Sequence, residues 1–113
     1  MQRRGYTVVG QAVERLPAEI ESLFDAGYRY SGDGVEVILA EEFDLWRTNS
    51  NLQITVILER RDEETCRVEL FAGGGATGLL GFTFGNETKF RDSVAGELEA
   101  LFDRLDLYVE NVE

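Results

Sequence analysis

Leu52-Gln53-Ile54-Thr55-Val56-Ile57-Leu58-Glu59-Arg60 is the stretch on which the fold turns. Leu52, Ile54, Val56 and Leu58 fall on one side of an extended chain, and Gln53, Thr55 and Glu59 on the other. That period of two, in a run rich in β-branched residues, predicts a strand with one buried face. Val35 to Trp46 upstream reads as a long strand, joined to it through the turn residues Asn49-Ser50-Asn51. Thr65 to Ala72 downstream returns antiparallel after Arg61-Asp62-Glu63-Glu64, with Cys66, Val68, Leu70 and Ala72 alternating inward.

Further elements extend this sheet. Tyr28-Arg29-Tyr30 forms a short strand that enters the long one through a tight Asp33-Gly34 hairpin. Tyr6 to Val13 reads as a first strand, and Leu79 to Phe84 as a last one. Pro17 opens a short helix, since proline is tolerated in a first turn, and Glu19 and Glu21 suit its positive end. Ile20, Leu23 and Phe24 give that helix an apolar stripe, with Gly27 as its stop. A long helix closes the chain from about Thr88 to Asp106. Phe90, Val94, Leu98, Leu101, Phe102 and Leu105 recur there at steps of three and four and mark the face that packs on the sheet. The expected fold is α+β: a curved antiparallel sheet with a short N-terminal helix and a long C-terminal helix on one face. At 113 residues the chain is read as one domain, 1–113.

Gly73-Gly74-Gly75-Ala76-Thr77-Gly78-Leu79-Leu80-Gly81-Phe82-Thr83-Phe84-Gly85 holds six of the twelve glycines. Gly73, Gly75 and Gly78 match the spacing of a dinucleotide-binding turn, but an aromatic, strand-like segment follows where a helix must start. Leu79 and Leu80 stand where a phosphate loop needs Lys and Ser or Thr. The stretch therefore reads as a wide hairpin, a bulge or a sharp bend.

Composition excludes much chemistry. There is no histidine, which removes Ser-His and Cys-His nucleophile pairs, the usual zinc sites and the commonest general base near neutral pH. Cys66 is the only cysteine, so the chain has no internal disulfide and no cysteine-based metal cage. Catalytic residues, metal ligands and cofactors are accordingly expected to be none. A net charge of −11 repels phosphate backbones and anionic membranes, which argues against nucleic-acid and membrane partners. No apolar run reaches the roughly 20 residues that cross a bilayer. Arg3-Arg4 is not followed by the apolar region of an export signal, since Gln11, Glu14 and Arg15 interrupt it, so a cytoplasmic location is expected. Lys89 is the only lysine among 11 basic residues, and this acidic, arginine-rich balance resembles the proteins of salt-loving archaea. Asn86-Glu87-Thr88 has the letters of a glycosylation sequon, discounted without a secretory signal.

Three residues are candidates for a ligand site: Glu41, Trp46 and Arg47. Glu41 is the one charged member of the stripe Val35, Val37, Leu39, Glu41, Phe43 and Leu45. If that parity faces the core, the carboxylate is buried and Arg47, on the same parity, is its partner. The alternatives are a bulge at Glu41-Glu42 that turns the group to water, or an edge-strand charge against aggregation. Trp46 and Arg47 open a polar turn with Thr48, Asn49, Ser50 and Asn51, able to stack and hydrogen-bond a small ligand or to serve as an ordinary turn. Glu36, Glu42 and Asp44 read as solvated outward charge, as do Asp62, Glu63 and Glu64.

Arg47-Thr48-Asn49-Ser50-Asn51 leading into Leu52-Gln53-Ile54-Thr55-Val56, then Gly73 to Gly78 with Phe82-Thr83-Phe84-Gly85 and a closing helix, resembles a family of small prokaryotic domains of unknown function. The resemblance covers about residues 36 to 105. It implies no activity, cofactor or catalytic residue. The element order also resembles a reduced helix-grip fold, the arrangement of the START-like lipid and hormone binders. By that analogy the expected function is a non-enzymatic binder of an apolar or amphipathic small molecule, held between sheet and C-terminal helix. The alternative is a structural or interaction protein acting as a homodimer through outward apolar residues such as Ile38, Ile57 and Phe71.

Overall fold

The structure, a computed structural model, describes residues 2–43, 51–74 and 86–113. Six strands form one antiparallel sheet: β1 (Gln2–Val9), β2 (Tyr28–Ser31), β3 (Val35–Phe43), β4 (Asn51–Arg60), β5 (Thr65–Gly74) and β6 (Tyr108–Val112). Their order across the sheet is β2-β3-β4-β5-β1-β6. A short 3-10 segment (Gln11–Arg15) leads into α1 (Leu16–Leu23), and α2 (Asn86–Arg104) precedes β6. The α+β class read from the sequence is the observed one. No helix among the described residues is long and apolar enough to cross a membrane.

The inner face of the sheet follows the alternation. Ile54, Val56 and Leu58 of β4 and Cys66, Val68, Leu70 and Ala72 of β5 are buried, as are Tyr6 and Val8 of β1. α2 lies over β5 and β1, with Val94, Ala95, Leu98, Leu101 and Phe102 facing down. The Tyr6 and Phe102 rings meet edge-to-face at 5.2 Å between centroids. The Tyr6 hydroxyl donates to a carboxylate oxygen of Glu99 at 2.7 Å, so the buried phenol keeps a hydrogen-bond partner. Burial, then the Glu99 carboxylate, raise its pKa well above the ordinary tyrosine range. α1 covers the β3 side, and Val13, Leu16, Ile20 and Phe24 form its buried stripe.

Several boundaries differ from the sequence reading, each for a local reason. The first strand is Gln2–Val9 rather than Tyr6 to Val13. The chain turns at Gly10, where a side chain would run into Leu107 Cδ2 at 2.7 Å, and Val13 then joins the helical stripe. α1 stops before Gly27. Asp25 takes the left-handed conformation (φ 50°), the Ala26 amide donates to the Glu21 carbonyl, and the Asp25 amide donates to that of Ser22. This is a Schellman stop with aspartate in the glycine position. α2 ends the same way: Asp106 has φ 57°, and the amide of Leu107 donates to the carbonyl of Phe102 at 2.9 Å. That stop redirects the chain into β6, a strand the sequence reading missed.

The parity of β3 is the main correction. Ile38 and Ala40 are buried, whereas Leu39 is 40% exposed and Glu41 is exposed. The stripe Val35, Val37, Leu39 and Glu41 therefore faces away from the helices, and Ile38 is a core residue rather than an outward one. Glu36 lies on the inner parity at the sheet margin, where Arg29 and Ser31 hold it at 2.8 and 2.7 Å. Arg29 also reaches Glu21 of α1 at 3.1 Å and so ties the helix to the sheet edge. The expected strand over Leu79–Phe84 lies outside the described residues, as does the glycine stretch beyond Gly74.

Candidate functional site

β2 is the shortest strand among the described residues, and the sheet has a step where it starts. Tyr28 pairs with Leu39, but β3 and β4 continue beyond that point through Ala40–Ile54 and Glu41–Gln53. The connection from α1 wraps this step. The Asp25 turn swings the chain across, and the Gly27 amide donates to the Leu39 carbonyl at 3.1 Å. The result is an open cleft of about 470 Å³.

The cleft has two chemical sides. Tyr28 and Leu39, on the outer face of the sheet, give it an apolar wall, and the strand segments at Ala40 and Ile54 also line it. Asp25, Glu41, Gln53 and Thr55 supply carboxylates, an amide and a hydroxyl. Such a mixture can hold an apolar body and orient a polar end.

Of the residues singled out from sequence, Glu41 lines this cleft, as an exposed group on the outer face and not as a buried core carboxylate. Trp46 and Arg47 lie outside the described residues. Tyr28, Leu39 and Thr55 were not singled out as site residues. The signal for Tyr28 and Leu39 was present in the paired short strand Tyr28-Arg29-Tyr30, whose tyrosines share a face with Leu39. Cys66 is 1% exposed, and burial pushes its thiol up to about 11, so it is protonated at neutral pH and inert as a nucleophile. Among the described residues no group of three or more Cys, Asp or Glu side chains is placed to hold a metal ion.

The layer between α2 and the sheet is occupied by Tyr6, Leu70, Leu98, Leu101 and Phe102, none more than 1% exposed. At the far end of the outer face lies a closed set of ion pairs. Arg67 bonds Glu69 at 2.6 Å and Glu113 at 2.8 Å, and Arg3 bonds Glu69 at 2.7 Å. The Arg67 guanidinium lies over Gly5, where any side chain would collide with it. Burial alone would raise Glu69, but the hydrogen bonds from Arg3 and Arg67 outweigh it and hold the carboxyl below its usual range. No family model, no curated protein and no solved structure matches this chain.

Proposed function

We propose that this protein is a non-enzymatic binder of an apolar or amphipathic small molecule, held at the step where β2 gives way to the longer β3 and β4. The cleft of about 470 Å³ carries the reading, because ligand sites occupy roughly 300–1,000 Å³ and combine apolar walls with a few polar groups. The apolar body lies along Tyr28 and Leu39, and its polar end meets Glu41, Gln53 or Thr55. The acidic, arginine-rich composition suits a salt-rich cytoplasm, the location we assign.

The test is to denature protein purified from its native host and identify the small molecules released. A stoichiometric apolar compound is expected, absent from a Leu39→Asp variant that keeps its circular dichroism. Release of nothing, together with no rise in Tm from a panel of fatty acids and sterols, would sink the reading. Loss of the compound in Leu101→Ala but not in Leu39→Asp would move the ligand beneath α2.

A second reading, a structural protein that works as a homodimer, draws on the outer face of the sheet.

A further inference from the structure

The outer face carries two uncharged rows that run across the strands. Tyr30 pairs with Val37, and Val37 with Ile57, so one row crosses β2, β3 and β4. Tyr28, Leu39, Thr55 and Phe71 form the next row, reaching β5. Neither helix covers these side chains: Tyr28 is 55% exposed, Tyr30 53% and Leu39 40%.

Resting on the second reading above, we infer that a second copy of this chain packs here, outer face to outer face, about a two-fold axis lying in the contact plane, and covers Tyr28 and Leu39 in place of a small molecule. Charge is the first reason. The chain carries −11, yet both rows are free of charge, and at the other end of the face Arg3 and Arg67 are answered by Glu69 and Glu113. Glu41 and Glu59 flank these rows, and further exposed negative charge sits off this face, on α2 (Glu97, Glu99, Asp103) and in the Asp62-Glu63-Glu64 turn. A basic partner is drawn to those surfaces, whereas this face suits a neutral, apolar one. Its own counterpart is such a surface: an axis near Val37 and Ile57 sets row on row and keeps the ionic ends on opposite flanks.

Size is the second reason. The axis near Val37 and Ile57 lays the four strands β2 to β5 of one copy over those of the other; at about 4.8 Å spacing, with the seven paired residues from Val35 to Glu41 at about 3.3 Å each, the overlap is roughly 19 by 23 Å. That is on the order of 440 Å² in projection per copy, or about 900 Å² for the two, approaching the roughly 1,000 Å² that a specific interface clears. The apolar rows form its centre, and Glu41, Gln53 and Arg3 its polar rim. Two sheets stacked in this way make a sandwich, a common arrangement for faces of alternating side chains.

Sedimentation equilibrium on the intact chain tests this. The expected mass is twice 12.7 kDa, with the dimer tightening between about 0.1 M and 1 M salt as the repulsion between two acidic copies is screened. Ile57→Asp and the better exposed Tyr30→Asp should each weaken the dimer roughly thirtyfold or more while leaving the circular dichroism unchanged. Tyr108→Asp adds the same charge at the β6 edge, where Tyr108 is 68% exposed, and should leave the mass unaltered at high salt. A monomer at both salt concentrations overturns the inference. So does a dimer that survives both row substitutions, or one that Tyr108→Asp abolishes at high salt.

Discussion

The two ends of the outer sheet face finish the same kind of surface in opposite ways. Across β5, β1 and β6 the side chains close on one another: Arg67, only 12% exposed, lies flat over Gly5 between Glu69 and Glu113. Across β2, β3 and β4 the middle of the face is tyrosines, aliphatics and Thr55, with the charges Glu41 and Glu59 only to either side of it. The first end satisfies its polar groups internally and requires no partner. The second leaves apolar side chains in water and is the end at which we place the ligand or, on the second reading, the second copy. A strand's alternation determines which residues face outward, and their chemistry then decides whether that surface is complete.

The sharpest way to break this contrast is to open the ionic end. Arg67→Ala leaves Glu69 and Glu113 without their shared partner and should lower unfolding free energy by about 2 kcal/mol, read from urea denaturation. A loss near zero would mean that the ion pairs merely decorate the surface.

Acid should act on the same end through Glu69, and on the opposite margin of the sheet through Glu36. Glu69 and Glu36 both sit below their unfolded values despite burial that works the other way, because arginines bond them. A depressed carboxyl contributes stability that is complete above the unfolded value of about 4.3 and is lost as pH falls through the folded one. Thermal midpoints should therefore hold near neutrality and fall steeply below about pH 4.5, with a shallower fall in Arg67→Ala, where Glu69 has lost one of its two cations. An unchanged acid slope in that variant would remove Glu69 from the account.

The smallest effect belongs to the apolar end. Ile57→Ser in dilute, monomeric protein should cost less than about 1 kcal/mol, because the side chain is only partly buried on a face that no helix covers. A larger loss would show that this end is already packed within one chain, and the two ends would then be alike.

Much of the fold was legible in sequence because the strongest signals are periodic. β4 and β5 each carry an unbroken apolar row on one parity against a single apolar residue, Ile57 or Phe71, among polar ones on the other, and α2 repeats its apolar face over four turns, so these elements and their inner faces follow directly. β3 resists the same reading. Val35, Val37 and Leu39 are apolar on one parity, and Ile38 and Ala40 on the other, so periodicity leaves the choice open and packing against α1 makes it. The misplacement of Glu41 follows from that single ambiguity. β6 escaped because five residues after a helix carry little pattern, and because the turn into it depends on Asp106 in a conformation usually given to glycine. The cleft was legible only in part. It arises from the unequal lengths of β2 and β3, a property of pairing rather than of any one segment.

The strand order β2-β3-β4-β5-β1-β6 also sets a timetable. β2 through β5 are joined by successive hairpins and can assemble as each is made. β1 is made before the other five strands but pairs with β5, Tyr6 lying opposite Val68, so its apolar side waits about sixty residues for its partner. β6 then docks on β1 last of all. Contacts so distant in sequence carry a loop-closure cost before they stabilise anything, which slows folding relative to a helical protein of this length. The nascent chain must therefore carry Tyr6 and Val8 unsheltered until β5 is made, and that interval is when it is most exposed to aggregation.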